Sequence, residues 1–355
     1  MDVRSPGEYN HAQIPGAYNL PLFTDEERKI VGTAYKQQSR ETAIKIGLDF
    51  FGIKMRKMVE NVESLTSSQT RASGPQQVLI HCWRGGMRSA GVAWLLDLYG
   101  FKVYTLAGGY KSYRHWVIET FSFPFSFNIL GGYTGSGKTF LLDELGKKGA
   151  PVIDLEKLAH HKGSAFGNIG MPKQPSQEMF ENLLGHQLRA FHKSKPGLAP
   201  ADSQLSAAFF NSTVGETGSI WLEDESQRIG HINIPHTLWN TMVKSPVLFI
   251  AIPFEERLKH IVQEYGNLDK EKVAEAIVRI QKRLGGLETK TALQHLAGGD
   301  VEACFRILLK HYDKSYRKAI DNRNQSKALV TNLDCNTADA RLNADKILSK
   351  ELLLK

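Results

Sequence analysis

The stretch Val78-Leu79-Ile80-His81-Cys82-Trp83-Arg84-Gly85-Gly86-Met87-Arg88-Ser89 decides how the first half of the chain is read. Its apolar start predicts a strand, and the pattern from Ala90 to Tyr99 predicts a helix behind the loop. A cysteine at this place faces a helix N-terminus, where unpaired N–H groups and the helix dipole favour negative charge. Gly85 and Gly86 let the backbone curl into a nest for an anion. Trp83, Arg84, Gly85, Gly86, Met87 and Arg88 therefore form a candidate anion-binding loop. The charges of Arg84 and Arg88, the amides and the dipole all favour the thiolate, so Cys82 is the candidate catalytic nucleophile. A cysteine that merely follows a core strand would be a packing residue. Two glycines and two arginines in the next six positions weigh against that reading here.

A second stretch, Gly131-Gly132-Tyr133-Thr134-Gly135-Ser136-Gly137-Lys138-Thr139, follows the apolar run Phe127-Asn128-Ile129-Leu130 and precedes a helical pattern to about Lys148. Gly132-x4-Gly137-Lys138-Thr139 is a Walker A pattern in its required context of strand, loop and helix. Gly132, Gly135 and Gly137 would let backbone amides wrap phosphates, and Lys138 would add a point charge. The Thr139 hydroxyl is placed for Mg²⁺, with Glu223 and Asp224 at a strand end as candidate acidic partners. The pattern does not say which phosphate ester binds. It suits a nucleoside triphosphate, and equally a departing diphosphate.

The chain has 355 residues, enough for two domains with full cores. A hydrophobic content of 41% and a charged content of 23% are ordinary for a globular protein. The formal net charge of +8 is compatible with a nucleic-acid partner. Cys82, Cys304 and Cys335 show neither metal spacing nor a disulfide framework, which suits a reducing cytosol. No run reaches membrane-span length and no secretory signal is evident, so a cytoplasmic protein without membrane contact is expected.

Taken in order, residues 1 to 23 are turn-rich, and Thr24 to Met58 predicts helices. Ser64 to Gln77, rich in Ser, Thr, Gln and Gly, predicts a loop. Lys102 to Leu106 predicts a strand, and Lys111 to Glu119 a helix that closes a first domain over 1–120. Residues 121–126, aromatic-rich, are the expected linker. Further strands are expected at Val152 to Asp154, Ser219 to Glu223, Val247 to Ile252 and Ala328 to Thr331. With helices between them they predict an α/β domain over 127–355 with a mainly parallel sheet. Lys270 to Leu284, Thr291 to Leu296, Val301 to Tyr316 and Ala338 to Leu354 predict a helical C-terminal part. His160 and His161 point different ways on a helix and make poor joint metal ligands; with Lys162 they suit a solvated or RNA-facing role. Tyr110-Lys111-Ser112-Tyr113-Arg114-His115-Trp116 suits either an unstacked base near Cys82 or a closing helix.

The cysteine loop resembles the rhodanese active site. Asp2 to Tyr9 and His11 to Asn19 resemble the rhodanese opening, and Leu106-Ala107-Gly108-Gly109-Tyr110 its closing turn. In such domains a strand precedes the Asp-Val-Arg motif, so the resemblance implies that the first strand is missing before Asp2. The span His81-Cys82-x5-Arg88-Ser89 also matches the phosphatase signature, and the loop alone leaves phosphatase and chalcogen transferase open. A rhodanese-like half followed by a P-loop half narrows the choice. With Asp154 to Gly167, Gln174 to Asn182 and Glu223 to Gly230, it resembles the tRNA 2-selenouridine synthase family. That resemblance implies action on wobble 2-thiouridine of tRNAs for Lys, Glu and Gln. It implies that the sulfur is first geranylated from geranyl diphosphate and that the S-geranyl group is then exchanged for selenium from selenophosphate. It implies that Cys82 carries selenium as a selenosulfide-type intermediate and that Gly132 to Thr139 binds diphosphate. No tightly bound cofactor is implied beyond a candidate Mg²⁺, and a selenophosphate-supplying enzyme is a candidate partner. The alternative is a phosphatase or sulfurtransferase fused to a P-loop kinase.

Overall fold

A computed structural model describes residues 1–67, 75–192, 219–266, 268–325 and 330–352. Its contacts divide the chain into two units. One is Met1–Thr120 with Glu181–Leu183, the other Phe121–Phe180 with Leu184–Lys355. Both are α/β.

The first unit contains α1 (Pro6–His11), α2 (Asp25–Gln37), α3 (Arg40–Gly52), α4 (Met55–Ser67), β1 (Gln77–Ile80), α5 (Met87–Tyr99), β2 (Lys102–Thr105) and α6 (Gly109–Thr120). β1 and β2 pair in parallel, with Val78 opposite Val103 and Ile80 opposite Thr105. A parallel pair needs a crossover, and α5 supplies it. Beside β1, Asp2 forms parallel bridges to both His81 and Asn19. The opening motif is thus stitched to the strand that carries the cysteine. Val3, Leu20, Val62, Ile80, Cys82, Val92 and Leu96 share one buried cluster.

Two segments differ from the sequence reading. Pro6–His11 is a helix within the stretch read as turns. Pro6 suits a first helical position, and the Ser5 amide donates to the Glu8 carboxylate at 3.2 Å. Ser64–Ser67 is the last turn of α4, not loop, and the Thr66 hydroxyl donates to the Val62 carbonyl at 2.8 Å. The remainder of that expected loop, 68–74, lies outside the described residues.

The second unit contains β3 (Phe127–Gly132), α7 (Lys138–Lys147), β4 (Val152–Ile153), α8 (Leu155–Ala159), α9 (Gln177–Phe191), β5 (Ile220–Glu223), β6 (Arg228–Ile229), β7 (Ile232–Asn233), α10 (His236–Lys244), β8 (Val247–Ala251), α11 (Phe254–Tyr265), α12 (Lys270–Arg279), α13 (Gln281–Leu284), α14 (Gly286–Ala297), α15 (Val301–Gln325), β9 (Val330–Asp334) and α16 (Ala340–Leu352). The main sheet runs β4-β5-β3-β8-β9 and every pair is parallel. β3 therefore sits at the centre, and the chain crosses from one side of it to the other. In such sheets the ligand crevice lies beyond the carboxyl ends of the strands at this reversal. The expected linker groups with this unit. Phe123 packs on His192 at 4.6 Å, and Phe125 on Phe127 at 6.0 Å. The strand expected from Ala328 begins at Val330 among the described residues, and 328–329 and 353–354 lie outside them. Among the described residues no helix is long and apolar enough to cross a membrane.

Candidate active site

Each unit places a loop between a central strand and a helix. In the first, β1 ends at Ile80 and α5 begins at Met87, with Gly86 as its N-cap. Gly85 has φ +69°, a left-handed conformation that glycine adopts without strain. The turn expected to close the domain packs directly on this loop. The Tyr110 amide donates to the Cys82 carbonyl at 2.8 Å, and the Lys111 amide to the Trp83 carbonyl at 2.9 Å. A Cβ on Gly109 would lie 2.4 Å from the Cys82 carbonyl oxygen and 2.5 Å from the Gly85 nitrogen, at φ +60°. Only a glycine lets the two backbones approach this closely.

The Cys82 side chain is buried beneath an exposed loop, Trp83 to Met87. Its Sγ lies 3.3 Å from the Ser89 hydroxyl, which also stands 2.9 Å from the Gly86 carbonyl, so its one proton can serve either acceptor. Burial pushes the thiol pKa up. The Ser89 hydroxyl and the amides of Ser89, Arg84 and Gly86 outweigh it, so the thiol sits below its ordinary range. Arg88 does not turn toward the sulfur: its guanidinium donates to Glu8 at 3.0 Å. The sequence points to the helix dipole, the loop amides and the arginine charges together as activating the thiol. The amides of this group aim at the sulfur as expected, while Arg88 is held by a carboxylate 80 positions earlier in the chain. Burial raises the Glu8 carboxyl, but Arg88, the Ser5 amide and Arg28 hold it below the usual glutamate range.

The Asp-Val-Arg motif is structural. Arg4 is buried, pairs with Asp2 at 2.6 Å, donates to the Ala12 carbonyl at 2.8 Å and covers the Tyr110 ring at 3.7 Å. Tyr110 is itself fully buried, so it is a core residue of the closing helix and not a platform for a base. Burial also lowers the pKa of His81 to about 4, against the attraction of Asp2.

In the second unit Gly132 ends β3 and Gly137 caps α7 at φ +69°. Lys138 Nζ donates to the Gly132 carbonyl at 3.0 Å across the loop. A Cβ on Gly132 would meet the Ser136 hydroxyl at 2.6 Å and Ile250 at 2.7 Å, and one on Gly135 would meet the Arg257 carbonyl at 2.8 Å. Arg257 is buried beneath the loop. It donates to the Thr134 carbonyl at 3.0 Å and is anchored by Asp313 at 2.7 and 2.9 Å.

Glu223 ends β5 in register with Leu130 of β3, beside the mouth of this loop. Glu223, Glu156 and Glu225 bring carboxylate oxygens within 4.8 Å of one another. The Thr139 hydroxyl joins them through Glu156 at 3.2 Å. Glu223 is fully buried and neither of its oxygens has a hydrogen-bond partner. Burial, then the neighbouring carboxylates, push Glu223 and Glu225 well above the normal range, and Glu156 upward. An orphaned buried carboxylate is costly, and an all-oxygen donor set is the kind a hard divalent cation accepts. The residues present therefore fit Mg²⁺, held by Thr139, Glu156, Glu223 and Glu225. Asp224, the other acidic candidate, accepts a hydrogen bond from the Tyr316 hydroxyl. Glu156 follows a different strand, β4, and only the sheet order reveals its role. His161 is buried, not solvated, while Lys162 pairs with Glu264.

A cavity of about 750 Å³ opens at this loop. Its lining combines Thr134 to Thr139, Glu156 and Glu225 with Phe166, Tyr265, Phe305, Leu308, Leu309 and Tyr312.

Residues 1–115 match the family model for the rhodanese-like domain. Residues 125–201 and 192–336 match the model described as the tRNA 2-selenouridine synthase AAA domain. A tRNA 2-selenouridine synthase of Bdellovibrio bacteriovorus is 33% identical over 350 residues, covering 90% of this chain and 83% of its own. The chain belongs to the tRNA 2-selenouridine synthase family. A synthase of Shewanella piezotolerans is 32% identical over 356 residues, 91% of this chain and 89% of its own. One of Nitrosomonas europaea is 34% identical over 271 residues, 75% of this chain and 63% of its own. In this family member Cys82 lies in the rhodanese-like segment, and Lys138 with the three glutamates lies in the segment matched by the family's own AAA model.

Proposed function

We propose that this family member converts wobble 2-thiouridine of tRNAs for Lys, Glu and Gln to 2-selenouridine in two steps, each run by one loop. The names of its relatives support selenouridine formation on tRNA. The observation that carries the two-step reading is the pair of unlike cradles, one built around a thiol and the other around a lysine and an apolar cavity.

At the Gly132–Thr139 loop, geranyl diphosphate places its two phosphates against the amides and Lys138. The thiouridine sulfur attacks the allylic carbon, and the carbon–oxygen bond breaks with its electron pair leaving on diphosphate. Charge grows on the leaving group, which is where Lys138 and the amides stabilise it. Bound Mg²⁺ would neutralise the diphosphate further, and Thr139, Glu156, Glu223 and Glu225 are the residues that would hold it. S-alkylation then makes the second step feasible, because a thiol leaves carbon more readily than a bare thiocarbonyl sulfur.

At the Cys82 loop, selenophosphate rests its oxyanion on the exposed amides from Trp83 to Met87 and on Arg84. The Cys82 thiolate attacks phosphorus: the S–P bond forms as the P–Se bond breaks, and selenide is released at the loop. Selenide adds at C2 of the S-geranyl base and geranylthiol leaves, while water hydrolyses the thiophosphate to phosphate and returns the free thiol. The bond between Glu8 and Arg88 fixes the loop's far end. The test is mass spectrometry of nucleosides from 2-thiouridine tRNA incubated with both small substrates. Cys82→Ser should stop at S-geranyl-2-thiouridine, and Lys138→Ala should leave 2-thiouridine. If Cys82→Ser still yields 2-selenouridine, the cysteine is not the nucleophile.

A further inference from the structure

One face of α15 runs the length of the cavity. Phe305, Leu308, Leu309, Tyr312, Ser315 and Tyr316 all line it, at the spacing that puts residues on a single helical stripe. The ends of this stripe differ. The Tyr316 hydroxyl accepts from the Gly132 amide at 3.4 Å and donates to Asp224, so it stands at the phosphate loop. Phe305, three turns earlier, and Leu308 and Leu309, two turns earlier, are buried in the apolar cluster that α15 forms with α11 and α14. Phe166 packs against both Phe305 and Tyr312, at 6.3 and 6.4 Å, and lines the same cavity. Three turns span about 16 Å.

We infer that this stripe is a ruler for the hydrocarbon tail of a prenyl diphosphate. The diphosphate sits at the Tyr316 end, the tail runs along Tyr312 and Leu309, and Phe305 with Phe166 closes the far end. The inference rests on the diphosphate reading of the Gly132–Thr139 loop and adds where the tail goes and what limits its length. A nucleotide would put a base in the same space, and a base asks for hydrogen-bond donors and acceptors around it. Phe305, Leu308, Leu309 and Phe166 offer none from their side chains. Of the two lysines on the cavity wall, Lys138 belongs to the phosphate loop, and Lys162 is already paired with Glu264 and lies over the Tyr265 ring at 4.9 Å.

Calorimetric titration of the full chain in Mg²⁺ tests this with inorganic pyrophosphate, with C5, C10 and C15 prenyl diphosphates, and with ATP. Affinity should climb from pyrophosphate through C5 to C10, by about fourfold for each methylene buried, and should not climb further to C15. Phe305→Ala opens the far end and should move the tightest binder to C15. If that variant does not fold, the wild-type series still decides. Prenyl diphosphates binding no better than pyrophosphate, or ATP binding more tightly than the C10 compound, would overturn the ruler while leaving a phosphate loop. If pyrophosphate does not bind, or binds Lys138→Ala equally well, the diphosphate reading itself falls and the ruler with it.

Discussion

The two loops share a plan and differ in what they do with charge. Both leave a parallel strand, turn on glycines in left-handed conformations and enter a helix at its N-terminus. At the cysteine loop two of the nearby cations are spent on structure, Arg88 tied to Glu8 and Arg4 to Asp2, and Arg84 is left for the substrate oxyanion. What remains for the sulfur is a set of hydrogen-bond donors. At the lysine loop the charges crowd together, one cation facing three carboxylates of which one has no partner. The first arrangement suits a single nucleophile that must be poised alone. The second suits a multiply charged substrate that arrives with a metal ion and completes the site.

The largest separation between the loops should appear in Lys138→Ala. Removing the cation from the leaving group should slow geranylation on the order of 10²- to 10³-fold, measured as S-geranyl-2-thiouridine formed per minute. A loss of similar size in Cys82→Ser would mean that the loops do not divide the work.

Acid should split the units in opposite directions. His81 is held neutral by burial, and Glu8 is held ionised by Arg88. Both bind fewer protons folded than unfolded, so their contribution is present at neutral pH. It is lost as pH falls, from about 6.5 toward 4 for His81 and through the folded pKa of Glu8 below the usual glutamate range. Glu223 and Glu225 are raised, so their folded forms bind more protons; the second unit is favoured below the ordinary glutamate range and loses that advantage as pH rises through their folded values. Hydrogen exchange followed unit by unit from pH 7 to 5 should show the first unit loosening and the second tightening. Mg²⁺ at pH 7 should mimic acid in the second unit alone. Parallel behaviour of both units would contradict the charge assignment.

The packing of the closing turn on the cysteine loop gives a smaller, local effect. Gly109→Ala forces a Cβ against the Cys82 carbonyl in a left-handed backbone and should cost about 1–3 kcal/mol, seen as a lower melting point of the first unit with pyrophosphate binding in the second unchanged. Smaller still is Ser89→Ala. It removes one donor that lowers the Cys82 pKa, so the acidic limb of the selenium-exchange rate should move to higher pH while the high-pH plateau stays. An unmoved limb would show that the amides alone set the thiol.

Much of this was legible in sequence because it is local. Strand, glycines and helix occur within a dozen residues at Cys82 and again at Lys138, and each segment carries its own signal. What sequence hid is what sheet order brings together. Glu156 follows β4 and Glu223 ends β5, and only the β4-β5-β3 arrangement puts both at the Thr139 hydroxyl. Arg88 reads as a free cation in the loop until Glu8, from the chain's first helix, is seen beside it. The apolar wall of the cavity was invisible for the same reason, since the stripe on α15 reads simply as the core face of a helix. Pro6–His11 is a different case: Ser5, Pro6 and Glu8 carry a capping signal that the surrounding turn residues obscured.

The central claim is that each loop performs one step alone. It is tested most directly by giving both variants tRNA that already carries S-geranyl-2-thiouridine, with selenophosphate and no geranyl diphosphate. Nucleoside mass spectrometry should find Lys138→Ala making 2-selenouridine at the wild-type rate and Cys82→Ser making none. Loss of 2-selenouridine in Lys138→Ala would contradict the account.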